Sequence, residues 1–136
     1  MLNKILCVDD DPITLMLCKK VIERTSFAQE IITAQNGEEA FQYFKNIIRE
    51  INSGNVVDYP KLVLLDLNMP IMNGWEFLDA YLENNFQEIL TSKFIILSST
   101  IDPDDVNKSK KYIMVYDFMS KPISTEMIEN LKNKIL

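Results

Sequence analysis

The sequence predicts an α/β fold: a doubly wound, five-stranded parallel sheet in the order 2-1-3-4-5, with helices on both faces. Three observations carry this. Apolar runs of strand length alternate with segments of helical period along the whole chain. Two of the runs, Ile5-Leu6-Cys7-Val8 and Leu62-Val63-Leu64-Leu65, are apolar throughout, as buried parallel strands are. Both end in acids, Asp9-Asp10-Asp11 and Asp66. Carboxylates from two strands share one site only if strands one and three are neighbours, and ligands of such sheets bind at the strand C-termini near that switch point.

Strand one is Lys4 to Val8, and helix one runs from Pro12 to Arg24 with Ile13, Leu17 and Val21 as its buried stripe. Strand two is Glu30 to Ala34. Asn36-Gly37 turns the chain into helix two, which buries Ala40, Phe44, Ile47 and Ile48. The segment Ile51 to Pro60 is irregular, with loop signals at Ser53-Gly54-Asn55 and Tyr59-Pro60. Strand three is Leu62 to Leu65. Helix three begins at Asn73-Gly74 and draws its buried side from Trp75, Leu78, Tyr81 and Leu82. Strand four is Phe94 to Leu97. Asp102-Pro103 starts helix four, which reaches Lys111 and is polar all round except at Val106. Such a helix is expected to be exposed and weakly held. Strand five is Ile113 to Phe118. Ser124 caps helix five, whose stripe is Met127, Ile128, Leu131 and Ile135.

The 136 residues make one domain with length enough for a core. A net charge of −6 argues against direct contact with nucleic acid or an anionic membrane. No window approaches a membrane span, and the short apolar stretch near the N-terminus ends in acids, unlike a signal peptide, so a cytoplasmic location is expected. Cys7 and Cys18 lie in apolar runs and read as buried, reduced thiols. The chain has no His, which excludes Ser-His-Asp and Cys-His catalysis and a phosphohistidine on the chain itself.

Three consecutive aspartates at the end of an apolar strand repel one another, and apolar walls raise the cost of each charge. A hard cation such as Mg²⁺ suits this all-oxygen set. Asp9 and Asp10 are the candidate ligands, with Asp66 and the backbone carbonyl of Asn68 as further donors. Asp11 reads instead as an acid at a helix start. Asp66 is also the candidate nucleophile, since a carboxylate attacks a phosphoryl group to give an acyl phosphate. Ser98 ends strand four with a hydroxyl, and Lys121 follows strand five with an ammonium. Each alone is an ordinary strand-end or surface residue. Together, four strand ends supply acids, nucleophile, hydroxyl and ammonium.

The chain resembles the receiver domain of bacterial two-component response regulators, of the stand-alone, chemotaxis-regulator kind. The matching segments are Ile5 to Pro12, Leu64 to Gly74, Leu97-Ser98-Ser99 and Phe118-Met119-Ser120-Lys121-Pro122. The resemblance implies the same strand order, so that order is not independent of it. It also implies that Asp66 is the phosphoacceptor, that Asp9, Asp10, Asp66 and the Asn68 carbonyl hold Mg²⁺, and that Lys121 binds the phosphoryl group. Ser98 takes the switch-hydroxyl position and Phe118 the aromatic switch position, and Lys121-Pro122 is expected to be cis.

The resemblance further implies a histidine kinase or histidine phosphotransfer protein as donor. The protein would not be an enzyme in its own right, although it takes part in its own phosphorylation and dephosphorylation. Movement of Ser98 would vacate space for Phe118 and bias the face formed by helix four, strand five and helix five toward a downstream protein. A phosphorylation-dependent homodimer is compatible with this. The chain stops soon after helix five, so residues 1–136 are expected to be a single receiver domain without an output domain.

Two departures stand out. Ser98 replaces the commoner threonine but keeps the hydroxyl. Phe118 replaces the frequent tyrosine and cannot hydrogen-bond. The Asp-x-Asp of a haloacid-dehalogenase-like phosphatase, with Asp9 as nucleophile, would leave Asp66 and Lys121 unexplained. A phosphorylation-independent module on the same fold would not need all the key side chains that are present. A flavodoxin-like carrier needs a glycine-rich phosphate loop where this chain has acids. Trp75, the only tryptophan, is expected near the site.

Overall fold

A computed structural model describes residues 1–135. The sheet is parallel, in the order β2-β1-β3-β4-β5, built from β1 (Leu2–Val8), β2 (Ala28–Ala34), β3 (Leu62–Asp66), β4 (Lys93–Ser98) and β5 (Val115–Ser120). The helices are α1 (Pro12–Arg24), α2 (Gly37–Asn52), α3 (Gly74–Glu83), α4 (Pro103–Ser109) and α5 (Thr125–Ile135). The predicted class and strand order are therefore observed. Both β1 and β3 are interior strands, with Val8 opposite Leu65, so their C-terminal acids emerge side by side.

The continuous apolar runs are explained by burial on both faces. Leu6, Val8, Val63, Leu65, Phe94 and Ile96 point to one layer, where Phe44, Phe77 and Tyr81 pack against them. Ile5, Cys7, Leu62, Leu64, Ile95 and Leu97 point to the other, covered by α1 and α5. The period of two is real, but a strand with apolar neighbours on both sides does not display it. Cys7 and Cys18 are buried in the second layer and unlinked.

Several expectations are corrected. The buried face of α1 is Leu15, Cys18 and Ile22, not the stripe from Ile13. Ile13 is 64% exposed and Leu17 42%, while Val21 is half-buried. This helix carries apolar residues on two sides, so period alone does not choose between them. The phase is set where the chain leaves β1, by Asp11 as N-cap and Pro12 after it.

In α3 the missed core residue is Phe77, and Trp75 and Leu82 are only half-buried. α2 continues through Asn52, so the irregular segment starts at Ser53. A 3-10 turn, Phe86–Glu88, was not foreseen. α4 ends at Ser109, and β5 begins at Val115 rather than Ile113. Tyr112 and Met114 turn into the core and leave Ile113 exposed, and the sheet register shifts between Phe94 and Ile95. The caps at Asp102 and Ser124 are as expected, and at the start of α3 Asn73 and Glu76 form a reciprocal capping box.

The loop before β3 is anchored at its far end. Tyr59 Oη accepts from the Thr91 amide at 3.1 Å, Ser92 Oγ donates to the Pro60 carbonyl at 2.6 Å, and Lys4 Nζ donates to the Asp58 carbonyl at 3.0 Å.

Candidate phosphoacceptor and cation site

Asp9 leaves β1 with its amide bonded to the Ala34 carbonyl at 3.0 Å, so β2 fixes its backbone. Its Oδ1 accepts from the Asp11 amide at 2.9 Å. Asp11 faces the other way, capping α1 through the Ile13 amide at 2.9 Å and accepting from Thr14 Oγ1 at 3.2 Å. That accounts for Asp11 as a helix cap. Asp10 is exposed. One oxygen from each of Asp9, Asp10 and Asp66 lies within 4.8 Å of the others.

Asp66 is the last residue of β3 and is buried. Gly74 makes its position possible. A Cβ there would sit 2.6 Å from the Asp66 carbonyl oxygen and 2.9 Å from Leu67 Cα, so only glycine lets α3 start against this strand end. Asn73-Gly74 is the expected start of this helix, but the close approach beneath it leaves no mark in the sequence pattern. The Asn68 amide reaches Asp66 Oδ1 only at 3.5 Å, a weak bond, and Asn68 itself is exposed.

Lys121 joins the two buried acids. Its Nζ is 2.5 Å from Asp9 Oδ2 and 3.3 Å from Asp66 Oδ1. The Lys121 amide donates to the Ser98 carbonyl at 2.8 Å, tying β4 to the cis Lys121-Pro122 bond. Ser98 is buried, and its Oγ accepts from the Thr100 amide at 3.4 Å. Phe118 is half-buried on β5 and lines a small cavity of about 170 Å³ with Val106, Ser109 and Tyr116, between α4 and the sheet. The sheet thus brings Asp9, Asp10, Asp66 and Lys121 together. Ser98 ends the neighbouring strand, and Phe118 sits to one side of them under α4.

Burial raises the Asp66 carboxyl above its ordinary value, Asp9 adds to this, and Lys121 works against it. Burial also disfavours the Lys121 ammonium, but its hydrogen bond to Asp9 and the charges of Asp66 and Asp9 outweigh that and raise its value. Three carboxyl groups face a single ammonium at this site, so acids outnumber the base that offsets them. The donors are all oxygens of hard character. This set fits a small divalent cation, with one carboxylate oxygen each from Asp9, Asp10 and Asp66 close enough to share it.

The fold and the site define a class: a doubly wound α/β protein with an acidic, cation-suited cleft at the C-terminal edge of its sheet. Residues 5–133 match the model of the response regulator receiver domain, and the chain belongs to that family. It is 30% identical to a two-component response regulator from Cytophaga hutchinsonii of known structure, with a TM-score of 0.81 over 98% of this chain and 96% of that one. Among curated proteins, it is 25% identical over 131 residues to the probable methanogenesis regulatory protein FilR2 of Methanothrix harundinacea (strain 6Ac), covering 96% of this chain and 79% of FilR2. It is 30% identical to the nitrate/nitrite response regulator NarL of Escherichia coli (strain K12) over 75% of this chain, but spans only 40% of NarL. Receiver domains are signalling phosphoacceptors that take phosphoryl groups from histidine kinases. Among the described residues no helix is long and apolar enough to cross a membrane.

Proposed function

We propose that the chain accepts a phosphoryl group on Asp66 from the phosphohistidine of a kinase or phosphotransfer protein in the cytoplasm. The reading is carried by one observation: Asp66 is a buried carboxylate with Lys121 Nζ 3.3 Å away and Asp9 and Asp10 beside it. A carboxylate oxygen of Asp66 forms the new P–O bond as the P–N bond breaks, and the bonding pair stays on the imidazole nitrogen. Lys121 draws charge from the phosphoryl oxygens, and Ser98 offers its hydroxyl to one of them. Mg²⁺, held by Asp9, Asp10, Asp66 and the Asn68 carbonyl, would neutralise charge on both reactants when bound.

The rim suits a protein donor. Ile71 in the β3–α3 loop is 80% exposed, and Ile13 at the start of α1 and Ile101 in the β4–α4 loop are 64% and 55% exposed. Apolar side chains at these places serve a protein surface better than they serve water. The output would follow from Ser98 turning toward the phosphoryl group and Phe118 filling the space, so that the α4–β5–α5 face changes for a downstream protein, or for a second copy of the chain.

The test is intact mass after incubation with acetyl phosphate and Mg²⁺. Wild type gains one phosphoryl group. Asp66→Asn gains none, and chelation with EDTA abolishes the gain in wild type. A wild-type chain that gains nothing from acetyl phosphate or from any phosphohistidine donor ends this reading.

A further inference from the structure

The attachments of α4 are confined to its C-terminal end. Its N-terminal turn is closed on itself, by Asp102 Oδ1 accepting from the Asp104 amide at 2.9 Å. Residues 102–106 are exposed or half-exposed, and in the helix only Ser109 is buried. The last turn is different. Lys108 Nζ stands 4.6 Å from the centroid of the Trp75 ring in α3. Tyr112, just beyond the helix, stacks on that same tryptophan, with centroids 5.7 Å apart and planes 28° from parallel. Tyr112 Oη donates to Asp79 Oδ1 at 2.7 Å, one turn further along α3. A cation, a stacked pair and a charge-assisted hydrogen bond thus converge from the end of α4 onto one helix face.

We propose that Trp75, Asp79, Lys108 and Tyr112 form a latch that pins the C-terminal end of α4 to α3. The pinned end is a pivot, and the N-terminal end of α4, which follows Ser98 through Thr100, is the end that swings. The latch sets how far and how often α4 leaves the sheet before any phosphoryl group arrives. This extends the reading of the α4–β5–α5 face as the switching surface. None of the four residues lies in the acid cleft, so their loss leaves the phosphoacceptor chemistry in place.

The test uses amide hydrogen exchange on the unphosphorylated full chain, which does not depend on phosphoryl transfer. Tyr112→Phe keeps the ring stack and removes the hydroxyl. Asp79→Ala removes its acceptor. Each is expected to speed exchange of the Val106 and Lys110 amides about fivefold, the worth of one ordinary hydrogen bond. The double variant should match the single ones rather than multiply them, because both remove the same bond. Amides of Ile128 and Leu131 in α5 should not change. Unchanged α4 exchange in either single variant, multiplied effects in the double, or faster exchange throughout the chain would each overturn the latch. If α4 responds as expected while wild type accepts no phosphate, the latch stands and the phosphoacceptor reading falls. If phosphorylation is normal and α4 exchange is indifferent to both variants, only the latch falls.

Discussion

At the acid cleft, Asp9 and Asp66 are buried and share the Lys121 ammonium, whereas α4 buries only Ser109 and is held at one end by Lys108 and Tyr112. The cleft is built on the ends of interior strands, under which Leu6, Val8, Val63 and Leu65 are almost inaccessible. Displacing Asp66 would disturb that core. Displacing α4 would expose little. The difference teaches how one small domain can hold a buried acid pair fixed while leaving a short helix lightly attached. Rigidity comes from strands packed on both faces, and freedom from a short helix without an apolar stripe.

The largest break in this comparison comes at the cleft. Lys121→Met leaves two adjacent buried carboxylates without their ammonium, and the rate of phosphorylation by acetyl phosphate is expected to fall about a hundredfold, as when a preorganised charge contact is lost. Timed mass spectra measure it, and a rate within threefold of wild type would mean that Lys121 serves only the fold. Next in size is the contrast in packing. Phe44→Ala removes a fully buried ring that contacts Phe77, Tyr81 and Phe94, and should cost about 3–5 kcal/mol.

A smaller effect is electrostatic and depends on pH. Burial raises the Asp66 carboxyl in the folded protein, so the folded chain holds its proton to higher pH than the unfolded chain does. Stability is therefore lost as pH rises through that window. Asp66→Asn removes the loss. The variant should melt at a higher temperature than wild type at pH 7, and the advantage should vanish once the pH is below the ordinary aspartate value of 3.8. Equal melting curves at both pH values would show that Lys121 compensates the burial fully. The smallest change is Val106→Ala in α4, expected to cost only about 0.5 kcal/mol by urea denaturation. A cost near that of Phe44→Ala would dissolve the contrast between the two regions.

Legibility followed the same division. The acids were readable because a run of aspartates after an apolar strand is improbable without a charge partner. The adjacency of strands one and three followed from bringing Asp9 and Asp66 together, while the full order rested also on the resemblance. Asp102 and Ser124 were readable as caps because capping is local, a side chain bonding an amide two or three residues on. The face of α1 was misread because Ile13, Leu17 and Val21 are as apolar as Leu15, Cys18 and Ile22, and no local rule ranks the two sides. The start of β5 was misread because Tyr112 is held by Asp79, thirty-three residues away in the chain.

By itself, then, the sequence determined the alternation of strands and helices, the acids that must meet, and the caps at Asp102 and Ser124, all of which rest on nearest neighbours or on charge. The tertiary structure alone decided which side of α1 is buried and that Gly74 must be glycine beneath Asp66. It also decided that Trp75 and Tyr112 hold the end of α4. Those outcomes depend on which surfaces come into contact across the sheet, and contact between residues distant in the chain leaves no periodic trace in either partner.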